Sequence, residues 1–161
     1  MYRIINSFFA VFLFSLFLYT SASAGGFHIS VKKTNGESTA YAKNVMLVVQ
    51  PFGCHKPTDA EITGTAEGII NGTRKTIELK FVKNNNGEST LTKQWPDEGV
   101  WVIAINASYN DAKSSALVEV GTDYNLVHSK NDDGIKTFHK KLDKSEVESS
   151  LKKHIASLKK V

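Results

Sequence analysis

EITGTAEGIINGTRKTIELKFV, residues 61–82, is the stretch whose reading decides the fold. Asn71-Gly72 at its centre is a strong two-residue hairpin signal, because both residues tolerate the positive φ of a type I′ turn. Pairing outward sets Ile70 opposite Thr73, Ala66 opposite Ile77, Gly64 opposite Leu79 and Ile62 opposite Phe81. The last three pairs share one face, where small residues of the first strand meet large ones of the second. The other face carries Thr65 with Glu78 and Thr63 with Lys80. A slip of one residue would send every side chain to the opposite face and destroy this sorting.

Further strands are expected on both sides of the hairpin. Phe27, Ile29 and Val31 alternate, as do Val45, Leu47 and Val49 before Pro51. After the turn residues Asn84–Gly87, Ser89–Trp95 reads as a strand ending at Pro96. Asp97-Glu98-Gly99 then turns the chain into Val100–Tyr109, in which Trp101, Ile103 and Ile105 alternate. Asn110-Asp111 turns again, Ser114–Val120 pairs back, and Tyr124–His128 is a further short candidate. About seven or eight short strands at regular intervals predict an all-β, immunoglobulin-like antiparallel sandwich over residues 25–128.

Residues 129–161 differ in kind. A polar loop, Lys130–Gly134, precedes Val147, Leu151, Ile155 and Leu158, which fall at helical spacing. Asp143 and Glu146 form an N-terminal capping pair, and Lys152, Lys153, Lys159 and Lys160 sit where cations suit the helix dipole. The spacing predicts a basic amphipathic helix over about 144–159, its apolar stripe packed on the sandwich, with a partner or an anionic membrane surface as the other occupants.

Residues 1–24 read as a secretory signal peptide: Arg3, an uncharged apolar run from Phe8 to Tyr19, and small residues up to Ala24. The run is about a dozen residues against the roughly 20 a bilayer span requires, so no transmembrane anchor is expected after cleavage. The mature chain is expected to begin at Gly25 and to be periplasmic or secreted. Without Arg3 the net charge is +3; residues 25–128 carry 10 basic and 11 acidic side chains, and residues 129–161 carry 9 and 5. A neutral body with its basic excess confined to the tail does not match a nucleic-acid face, which clusters Lys and Arg on the folded surface. Cys54 is the one cysteine, so apolar packing must hold the fold without an internal disulfide. Asn71-Gly72-Thr73 and Asn106-Ala107-Ser108 match glycosylation acceptors.

The segments Gly53-Cys54-His55, Gln94-Trp95-Pro96-Asp97-Glu98-Gly99-Val100-Trp101 and Ser115-Ala116-Leu117-Val118 carry a resemblance. With Ala66-Glu67-Gly68 before the hairpin and Lys144–Glu148 at the closing helix, residues 45–155 resemble small, exported, functionally uncharacterised bacterial proteins with an immunoglobulin-like or transthyretin-like sandwich. More distantly, the chain is similar to periplasmic sandwich modules that accompany copper or oxidase assembly. The resemblance implies the fold and no particular chemistry.

Cys54-His55, between Pro51 and Pro57, is the first candidate for chemistry. Thiolate beside imidazole suits copper or zinc, with Met46, His28 and His128 as further possible ligands. Against that, neighbouring residues of an extended chain point to opposite faces, and Cys54 then reads as a small buried apolar residue, or as a thiol open to redox chemistry or an intermolecular disulfide. His28, His128 or His139 could serve such a thiol as a base, but no spacing selects one. Asp97-Glu98 and Asp132-Asp133 read as solvated turn carboxylates, and Asn131–Gly134 lacks the calcium-loop pattern. Trp101 is expected in the core. Trp95, at a strand end before Pro96, is expected to be partly exposed and, with Pro96 and His55, available to a partner. These residues predict a non-enzymatic interaction module without a cofactor. Its expected partner is another envelope or secreted protein, met at a sheet edge or at loops of one end such as Pro51–Pro57 and Trp95–Gly99. The alternative is a copper- or zinc-handling protein using Cys54 and His55.

Overall fold

The hairpin forms as β3 (Glu61–Ile70) and β4 (Thr73–Glu78), with Ile70 opposite Thr73 and Ala66 opposite Ile77. Asn71 and Gly72 adopt φ of 49° and 76°, the pair of left-handed conformations the tight turn needs. The structure is a computed structural model that describes residues 26–34, 44–53, 57–121 and 134–158. The expected pairing continues to Gly64, whose carbonyl accepts from the Leu79 N–H at 2.9 Å, and stops there. Ile62 does not pair with Phe81. The chain leaves the sheet after Leu79 and enters the other one as β5 (Val82–Lys83). Phe81 still lies above Gly64, where an added Cβ would come within 3.1 Å of its ring.

Among the described residues, nine strands make two antiparallel sheets. The remaining strands are β1 (His28–Lys33), β2 (Val45–Phe52), β6 (Ser89–Thr92), β7 (Val100–Tyr109), β8 (Ala112–Val120) and β9 (Ile135–Phe138). One sheet has the order β1-β2-β6-β5 and the other β4-β3-β7-β8-β9, with α1 (Lys144–Leu158) after the last strand. Ile29, Leu47, Val49 and Leu91 of the first sheet face Ala66, Trp101, Ile103, Ile105 and Val118 of the second, forming an all-β sandwich core. Gly68 makes room for the Trp101 indole: a Cβ there would lie 2.3 Å from Trp101 Cε3. The indole N–H donates to the Glu98 carbonyl at 2.7 Å, so this buried side chain leaves no polar atom unmet.

The five-stranded sheet is covered on its outer face as well. Val102, Ala104 and Leu117 pack there against Leu142, Val147 and Leu151, which explains the unbroken burial of Trp101–Ile105. Helix α1 spans nearly the expected residues, and its stripe docks on the sandwich. Asp143 Oδ1 accepts from the Glu146 N–H at 2.8 Å and Glu146 Oε2 from the Asp143 N–H at 3.1 Å, a reciprocal capping box. Among the described residues no helix is long and apolar enough to cross a membrane.

Two departures from the expected layout have local causes. The strand expected over Ser89–Trp95 ends at Thr92, and Trp95 turns inward. Residues 135–138, expected only as connection to the helix, form β9 and pair with β8 from Ser115↔Phe138 to Val118↔Ile135, so the sheet extends past residue 128. The expected signal peptide, Cys54-His55, the expected Tyr124–His128 strand and most of the Lys130–Gly134 segment lie outside the described residues.

Gly68→Ala should destabilise the domain by about 1–3 kcal/mol through overpacking against Trp101. Urea unfolding followed by tryptophan fluorescence reads this, and an unchanged midpoint would show that the ring moves aside freely. The Ser145 hydroxyl, and next the Glu146 N–H, hold the Asp143 carboxyl below its usual range. A carboxyl depressed by folding contributes stability above its unfolded value, and that contribution disappears as pH falls through the folded value. Asp143→Asn keeps a capping oxygen without the titration. The stability gap between wild type and this variant should therefore narrow on acidification from about pH 5 to about pH 2; a constant gap would contradict the assignment.

Candidate functional site

Alternation sends every second residue of β3, β7 and β8 to the outer face of the five-stranded sheet. Across the pairing, Glu61 meets Ser108 and Thr63 meets Asn106, while Thr65 meets Ala104 and Glu67 meets Val102. On the other side Ser108 faces Lys113, Asn106 faces Ser115 and Ala104 faces Leu117. The half that carries Ile69, Val102, Ala104 and Leu117 lies under α1. The other half, toward the Asn110-Asp111 turn, is polar and open.

The open half forms a hollow of about 270 Å³ lined by Glu61, Thr63, Asn106, Ala107, Ser108, Lys113 and Lys141. A second, shallower hollow of about 520 Å³ shares Lys113 and Lys141 and continues over Gly26, Phe27, Asp111, Ala112, His139 and Lys140. The segment carrying the lysines is pinned by strand side chains. Ser114 Oγ donates to the Phe138 carbonyl at 3.1 Å and accepts from the Ile29 N–H at 3.2 Å. Ser115 Oγ donates to the Lys140 carbonyl at 2.6 Å, and Asn106 Oδ1 accepts from the Leu142 N–H at 3.1 Å. Both serines are buried, so these bonds form away from competing water.

The charges in the two hollows are held differently. Lys140 Nζ lies 2.6 Å from Glu146 Oε1, and the hydrogen bond to that carboxylate raises its ammonium above the ordinary range. Among the described residues, neither Lys113 nor Lys141 has a carboxylate within ion-pair distance, and the Thr63 and Ser108 hydroxyls have no hydrogen-bond partner. Asn106 commits its oxygen to Leu142 and retains its amide N–H₂ as donor.

Two other polar clusters fasten α1. Glu67 accepts from Arg74 at 3.1 Å and Thr76 at 2.8 Å, and Arg74 also donates to Glu148 of the helix at 2.7 Å. Desolvation opposes the Arg74 charge, but the two carboxylates outweigh it and raise its already high pKa. His154 is 2 % exposed, with Nε2 donating to the Val120 carbonyl at 2.6 Å and Nδ1 3.5 Å from Glu119 Oε2. It occupies the position three residues after Leu151, so the helical stripe itself was the available signal for its burial.

The residues singled out from sequence separate. Cys54 and His55 lie outside the described residues. His28 stands exposed at the start of β1, stacked on Phe52 with ring centroids 5.3 Å apart, two residues before Cys54. Met46 is six residues from Phe52 along β2, about 20 Å at the strand rise, so it does not join His28 in one site. Among the described residues no three His, Cys, Asp or Glu side chains cluster as metal ligands. The expected partial exposure of Trp95 is corrected: it is buried, 3 % exposed, with its Nε1 unpartnered, and Pro96, Asp97 and Glu98 are what the surface shows there. Pro51–Pro57 and Trp95–Gly99 are also not at one end. Three crossings of the sandwich separate them (β3, the continuous β4–β5 path, and β6), and an odd number places them at opposite ends.

Compared with family models, curated proteins and solved structures, the chain matches none.

Proposed function

We propose that this chain is an exported, non-enzymatic binding module whose ligand is held at the end of the sandwich where Lys113 and Lys141 meet. One observation carries the reading. A sheet face otherwise closed by a helix is left open over its polar half, and buried Ser114, Ser115 and the half-buried Asn106 hold the Lys141 segment across it. A concave site built on strands keeps its donors in place before the ligand arrives, which lowers the entropic cost of binding. The lining groups are ammonium, hydroxyl, amide and one carboxylate, suited to recognition. Export rests on the leader pattern of residues 1–24, and the expected partner is a component of the envelope or the secreted fraction. The resemblance to small exported sandwich proteins favours the same reading.

The protein recovered from a secreting host should begin at Gly25 by intact mass. That mature form, titrated by NMR with sugars, amino acids, short peptides and inorganic anions, should show saturable shifts concentrated at the amides of Thr63, Asn106, Ser108 and Lys113. Shifts concentrated on other surfaces, or chemical conversion of a ligand, would overturn the module reading.

A second reading, copper or zinc handling through Cys54 and His55, is favoured by the position of His28 beside Phe52 at the end of β2. It requires Cu(I) or Zn(II) binding tighter than about micromolar, the range of specific protein sites, that weakens in Cys54→Ser. Equal binding by both proteins would remove it.

A further inference from the structure

The proposed module leaves its ligand unspecified, and the donor inventory of the first hollow narrows it. Among the described residues, Lys113 and Lys141 present ammonium groups without a counter-ion, Thr63 and Ser108 present hydroxyls without a partner, and Asn106 presents its free N–H₂; of the residues that line this hollow, Glu61 alone supplies a carboxylate. All five of these side chains can donate, and two ammonium groups against one carboxylate leave the lining one positive charge in excess. The chemical class that satisfies ammonium, hydroxyl and amide donors together is an oxyanion, whose oxygens each accept more than one hydrogen bond. The neighbouring Lys140 is already neutralised by Glu146, which leaves Lys113 and Lys141 as the pair able to meet added negative charge.

The geometry points to a binding site for an oxyanion, carboxylate or phosphate, between Lys113 and Lys141, with Thr63, Ser108 and Asn106 as neutral donors and Glu61 as the group that opposes it. This assignment rests on the module reading and adds the ligand's chemical class. Two sources supply such a group: a free small anion, or an acidic side chain of a partner polypeptide. Size does not separate them: the hollow of about 270 Å³ shares Lys113 and Lys141 with the second one, which gives an extended chain a surface to follow.

The test uses the mature chain at low ionic strength, titrated by NMR with inorganic phosphate in one arm and a capped tetraglutamate peptide in the other. Saturable shifts at Thr63, Asn106, Ser108 and Lys113 in either arm are expected, and the arm with the tighter binding identifies the source. Lys113→Gln and Lys141→Gln should each weaken binding about fivefold, and Glu61→Gln should strengthen it by about twofold or more, while Lys75→Gln on the distant β4 edge changes nothing. Raising salt should weaken binding in both arms. Because Glu61→Gln acts in the opposite direction, a generally damaged fold cannot imitate the pattern. Equal affinity across all four variants, or shifts spread over every lysine, would overturn the assignment. If neutral sugars or uncharged peptides move the same amides while both anions fail, the oxyanion class is wrong and the module reading stands. If no ligand moves them, both are wrong.

Discussion

From Trp101 to Ile105 strand β7 has no side that faces water, and the rest of the molecule answers to that constraint. Trp101, Ile103 and Ile105 require the four-stranded sheet on one side; Val102 and Ala104 require α1 on the other. Burying a large aliphatic side chain is worth about 1.5–3 kcal/mol, so leaving either face open would cost much of a small domain's net stability. A helix of 15 residues is marginal alone in water, and this one is held by the face it covers. Its capping box fixes where it begins, and the Arg74 bridge between Glu67 and Glu148 and the His154 bond to Val120 fix where along the sheet it lies.

The candidate site is a by-product of the same division. The outer residues of β7 change from Val102 and Ala104 to Asn106 and Ser108 partway along the strand, and the helix packs on the apolar part. Beyond that line the chain must still travel from β9 to Asp143, and it does so over Ser114, Ser115 and Asn106, which bind its backbone groups one by one. A connection held in this way carries Lys141 to a fixed place opposite Lys113. The proposed recognition groups therefore sit on strands and on a tethered link, which is what preorganised binding needs.

Particular residues show how far the sequence could be read. Thr65, Ala66, Ile70 and their partners were legible because an Asn-Gly turn and period-two sorting leave one register. Phe81 was not: the same alternation continues through Leu79, and nothing local marks that the chain changes sheets there. Trp95 looked like a strand end before a proline, yet the segment after Thr92 bends into the core, a choice made by the space between sheets. Asn106, Ser114 and Ser115 read as ordinary polar strand residues, since their partners at Leu142, Phe138 and Lys140 are 24 to 36 residues away. The loops around Pro51 and Pro96 looked like neighbours only until the strand crossings between them were known.

By itself the sequence determined the hairpin, most strands, the span of the closing helix and the inward face of β7, because these depend on side chains that are near neighbours along the chain. Tertiary structure alone decided the switch of sheets after Leu79, the addition of β9, the burial of Trp95, the cover over Val102 and Ala104, and the meeting of Lys113 with Lys141. Each of these is settled by contacts between distant segments competing for the same two faces of one sheet, and such competition leaves no periodic mark on the residues that win it.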